Sequence, residues 1–115
     1  MRTQFSTTNK FLNVVLNNRF AYDAFIAFLS QLGKAEASHV LMDATTLRGT
    51  DLSQKERYEI STMAMALLNK RVKSVVVSPY MDINYFTIST MLLQDFNIRV
   101  FAKKHNAEQW LFTNE

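Results

Sequence analysis

The spacing of apolar and polar residues changes character several times along the chain, and each change predicts an element. Phe11 to Leu16 is rich in bulky and β-branched residues. The polar stretch Ser6 to Lys10 before it turns back a preceding strand around Arg2 to Phe5, so a hairpin is expected at the start. From about Phe20 to Leu32 the period becomes helical, with Phe25, Phe28, Leu29 and Leu32 on one stripe, Asn18 placed to cap the start and Gly33 to stop the end. His39 to Met42 is a short apolar run closed by Asp43. Ser53-Gln54-Lys55-Glu56 then spells a capping box, whose hydroxyl and carboxylate satisfy free N–H groups reciprocally. The helix it opens carries Ile60, Met63, Ala64 and Leu67 on one face.

The second half continues the alternation. Val72 to Val77 predicts a strand, and Pro79 breaks it before Asp82 caps a helix bearing Ile83, Phe86 and Thr90, with Leu93 following. Ile98 to Ala102 predicts the last strand, and Asn106 with Gln109 caps a short helix holding Ala107, Trp110 and Leu111. Strands joined through helices need crossover connections, so the expected fold is α/β: a mostly parallel sheet of four to five strands, an N-terminal hairpin and about four helices. Three successive valines, Val75 to Val77, suit a strand covered on both faces.

Composition narrows the chemistry. With 115 residues, 48% hydrophobic and 20% charged, the chain suits one domain able to build its own core. Cysteine is absent, which excludes disulfide scaffolds, thiol nucleophiles and cysteine zinc sites. Two glycines and one proline leave no P-loop or dinucleotide cradle. No nucleophile elbow is present, and His39 and His105 fall in separate elements, so neither a metal nor a cofactor is expected and the chain reads as a binding protein rather than an enzyme. A catalytic alternative would rest on Asp43 with Thr45, Thr46 and Ser78 at strand ends.

The net charge of +3 comes from thirteen basic and ten acidic residues spread along the chain. Only Lys70, Arg71 and Lys73, and the pair Lys103 and Lys104, are locally dense, so nucleic acid is not an expected partner. The longest apolar runs, Ala24–Leu29 and Met63–Leu68, have six residues each, which fits neither a secretory signal nor a spanning helix and makes the cytoplasm the expected address.

Asp43 sits where a parallel strand ends, the place where ligands of open α/β sheets gather, and it equally suits a turn-stabilising role. Asp51 and Asp82 lie near helix starts, where negative charge meets the dipole. Met65, Tyr80 and Tyr85 fall off the predicted buried stripes. With Met81 and Phe86 they form an aromatic and methionine set suited to a lipophilic ligand, to core packing or to a subunit contact such as a homodimer.

The phrase Val40-Leu41-Met42-Asp43, leading through Leu47-Arg48-Gly49 to a capped helix, and the ending Ile98-Arg99-Val100-Phe101 followed by Ala107-Glu108-Gln109-Trp110-Leu111 resemble the SpoIIAA-like family. That family belongs with the STAS domains and is similar to the lipid-carrying CRAL-TRIO domains. The resemblance covers about Phe11 to Phe112 and implies a βα superhelix with neighbouring parallel strands.

Two functional branches follow from the resemblance. The lipid-carrier branch implies a small amphiphile near Asp43, Met65, Tyr80, Met81, Tyr85 and Phe86, with Lys70, Arg71 and Lys73 meeting anionic head groups at a membrane surface. The anti-anti-sigma branch implies a regulatory module docking a protein partner through Arg48, Asp51, Ser53 and Arg57. Its Asp-Ser-Ser/Thr-Gly signature aligns with Asp51-Leu52-Ser53-Gln54, where Leu52 replaces the phosphorylated residue and Gln54 the glycine.

Overall fold

Leu12, Val14 and Leu16 alternate with less buried positions, and that period of two decides which side of the sheet their strand buries. The computed structural model describes residues 1–8, 11–49, 51–78 and 94–113. Strands β1 (Arg2–Thr7) and β2 (Leu12–Arg19) form the expected antiparallel hairpin, in register from Arg2 opposite Asn17 to Thr7 opposite Leu12. The Thr8 N–H donates to the Phe11 carbonyl at 3.0 Å, and the Phe11 N–H donates to Thr8 Oγ1 at 3.1 Å. Strand β3 (His39–Asp43) lies parallel to β2, β5 (Lys73–Val77) parallel to β3, and β6 (Ile98–Phe101) parallel to β5. A two-residue strand, β4 (Leu47–Arg48), pairs with the end of β2. Among the described residues the sheet is therefore mixed and six-stranded, in the order β1-β2-β3-β5-β6 with β4 beside β2, rather than four- to five-stranded.

The described helices are α1 (Tyr22–Gly33), α2 (Gln54–Leu67) and α3 (Lys104–Leu111), three among the described residues. The helix expected after Asp82 lies outside the described residues. Asn18 does not cap α1. It has φ of 68°, a left-handed conformation that asparagine tolerates, and the N-cap is Ala21, with no side-chain bond. Pairing explains the shift, because the Phe20 N–H donates to the Arg48 carbonyl at 2.7 Å and keeps the chain extended past the predicted helix start. Asn106 does not cap α3 either. The helix begins at Lys104 after an extended Lys103, and Asn106 falls inside the first turn.

Two hydrophobic layers flank the sheet. On one side Leu12, Val14, Leu16, Val40 and Met42 pack with Phe28, Leu29 and Leu32 of α1 and Ala64 of α2. On the other, Leu41, Val75 and Val77 pack with Ala107 and Leu111 of α3. Burying each Leu or Val in these layers contributes about 1.5 to 3 kcal/mol. Strand β3 feeds both layers, as a parallel central strand must, and on β5 the half-buried Val76 packs against the first. Among the described residues no helix is long and apolar enough to cross a membrane.

Candidate functional site

The start of α2 is built by local chemistry. The Glu56 N–H donates to Ser53 Oγ at 3.2 Å, while the Ser53 N–H donates to Glu56 Oε1 at 3.1 Å, which completes the predicted capping box. The Ser53 backbone N–H, and then its hydroxyl, hold the Glu56 carboxyl below the usual glutamate range. The fixed turn presents Asp51, Ser53 and Lys55 to solvent, and Tyr58 follows at 64% exposure. Arg57 is half-buried, its Nε enclosed without a hydrogen-bond partner, and its carbonyl accepts from Ser61 Oγ at 2.8 Å. Across from this turn, desolvation and then the Glu59 carboxylate push the Tyr22 phenol up, which ties the start of α1 to α2.

At the end of β3, Asp43 serves the turn. Its Oδ1 accepts from the Thr45 N–H at 3.0 Å and from the Thr45 hydroxyl. The ladder to β2 resumes one residue out of step: Asp43 pairs with Val15 but Leu47 pairs with Asn18, so Ala44, Thr45 and Thr46 face only two residues of β2. Thr46 donates its hydroxyl to Asn17 Oδ1. The offset opens a cleft of about 530 Å³ lined by Arg2, Asn17, Thr45, Thr46 and Arg48 among others. Gly49 follows with φ of 74°, and a Cβ there would sit 3.0 Å from Arg19 Cγ.

The remaining expectations divide. Lys70 and Arg71 are exposed in the turn after α2, with the Lys70 ammonium 5.6 Å from the Phe96 ring centroid and the Arg71 N–H donating to Asn69 Oδ1 at 3.0 Å. Lys73 is a correction: it is only 7% exposed, so it is withdrawn from any membrane face. It opens β5 on the side of Val75 and Val77, toward α3. There its ammonium donates to the Thr113 carbonyl at 2.9 Å and lies 4.5 Å from the Trp110 ring centroid. Met65 is partly buried against the first core layer rather than off it. Tyr80, Met81, Tyr85 and Phe86 lie outside the described residues.

Ser78 is buried, its N–H donating to the Phe101 carbonyl at 2.8 Å. His39 places Nδ1 2.8 Å from Ser38 Oγ and stacks on Phe112, while His105 is exposed on α3. No group of three or more His, Cys, Asp or Glu among the described residues is placed to hold a metal ion.

Arg2, Asn17, Arg19 and Tyr58 were not singled out by spacing. Tyr58 had a signal, since it precedes the Ile60, Met63, Ala64 and Leu67 stripe and falls off it. The arginines had none, because only strand pairing brings them together. No family model matches the chain, and no curated protein or solved structure matches it either.

Proposed function

We propose that the chain is a SpoIIAA-like regulatory domain that docks a protein partner through the segment from Arg48 to Tyr58. The observation that carries the reading is the start of α2, where a capping box holds Ser53 and leaves Asp51, Lys55 and Tyr58 facing solvent, with Arg48 exposed at the end of β4. Exposed tyrosine and arginine are residue types that dominate protein interfaces, and the preorganised turn that precedes Tyr58 lowers the ordering cost of binding. The hairpin followed by parallel strands reached through helices supports the same family resemblance. Ser53 works here as a structural hydroxyl. A phosphate on it would stand beside the Glu56 carboxylate, 3.1 Å from the Ser53 nitrogen, and like-charge repulsion would open the box.

Affinity capture with the wild-type chain and with Tyr58→Ala and Arg48→Glu tests the reading. Partners retained by the wild type and lost by both folded variants are expected; an unchanged partner set contradicts it. Native mass spectrometry separates it from the carrier reading, in which Met65 on α2 helps hold an amphiphile. The docking domain is expected at its bare mass, and a retained lipid favours the carrier.

A further inference from the structure

The cleft at the ends of β2 and β3 has a charge arrangement that shares only Arg48 with the docking reading. Arg19 and Arg48 are direct partners in the β2–β4 ladder, and like charges directly opposite destabilise a sheet. Of that pair only Arg48 lines the cleft, and Arg2, opposite Asn17, enters it from β1. None of the three arginines has an ion-pair or side-chain hydrogen-bond partner among the described residues. The hydroxyls of Thr45 and Thr46 are already spent on Asp43 and Asn17. Because Asn17 accepts through Oδ1, its amide N–H groups are left as donors. The wall of this open cleft therefore offers guanidinium and amide N–H groups and a positive field.

We propose that this cleft binds the phosphate group of a small molecule, with Arg2 and Arg48 as its principal ligands. Phosphate carries enough charge and enough acceptor oxygens to engage two guanidinium forks at once. The location agrees with the tendency of open parallel sheets to bind ligands outside the carboxyl ends of their strands. The docking reading is not needed for it, and Arg2 lies outside the docking segment.

The test follows amide resonances of the full chain during titration with inorganic phosphate, against sodium chloride at matched ionic strength. A parallel titration uses vesicles of phosphatidylglycerol in phosphatidylcholine. Saturable shifts at Thr45, Thr46 and Arg48 are expected with phosphate or with the vesicles, and which of the two saturates identifies a free phosphate or a lipid head group. Arg2→Gln and Arg48→Gln should each weaken binding roughly tenfold, since a charge-assisted hydrogen bond is lost. Arg99→Gln on β6 should leave it unchanged. Absence of saturation with both probes at millimolar phosphate, or equal weakening by Arg99→Gln in variants that keep the wild-type thermal transition, would overturn the proposal.

Discussion

Ser53 and Glu56 exchange hydrogen bonds within a single turn, so their contribution depends on two residues and one protonation state. Ser53→Ala removes the acceptor for the Glu56 N–H and should lower stability by about 1 kcal/mol in urea unfolding. The Glu56 carboxyl is held below its ordinary range, so its stabilising contribution is full above the unfolded-state value and is lost as pH falls through the folded one. Acid titration of stability should therefore cost the wild type more than Glu56→Gln; equal losses would contradict the box. Lys73 behaves differently, its ammonium buried against Trp110 and the Thr113 carbonyl. Lys73→Met keeps most of the packing and should cost about 1 to 2 kcal/mol through the lost hydrogen bond and cation–π contact, measured by thermal unfolding. The box was legible because all its atoms lie within four residues. The fate of Lys73 was not, because it follows from strand parity and from a contact 40 residues away in sequence.

At the scale of elements, the ends of α1 and α2 approach closely at Gly33, where an added Cβ would stand 2.1 Å from the Leu67 carbonyl oxygen. The sequence suggested Gly33 as a helix stop, yet it is the last helical residue and Lys34 follows in right-handed geometry. Its value lies in the missing side chain. Gly33→Ala should destabilise by about 1 to 3 kcal/mol despite the better helix propensity of alanine, because backbone has to move. Urea unfolding checks this, and a neutral or stabilising result would mean the helices separate freely. Apolar spacing predicted β2, β3, β5 and β6 within a few residues, since each puts buried apolar positions into a core layer, whereas β1, which buries no residue, was expected from the polar stretch Ser6 to Lys10 that turns the chain back. It missed β4 and the true start of α1, which depend on one another: Phe20 stays extended because Arg48 has come back to pair with it. Local propensity contains no record of such an encounter.

For the whole molecule, the alternation of strands and helices was sufficient to anticipate a sheet with parallel neighbours and helices on both sides. The antiparallel hairpin makes that sheet mixed, and two layers of core fix its orientation. This scaffold carries the strand-end cleft, lined by Arg48, and the start of α2 on different elements. The candidate site was half legible: Arg48, Asp51, Ser53 and Arg57 stood out in sequence, whereas Tyr58, Arg2 and Arg19 gained meaning only from burial and pairing. Photo-crosslinking from a benzophenone amino acid at position 58, compared with the same probe at position 99 on β6, tests the docking assignment most directly. The account predicts a discrete protein adduct from position 58 that Arg48→Glu abolishes, with none from position 99. An adduct from position 99 alone, or one from position 58 indifferent to Arg48→Glu, would contradict it.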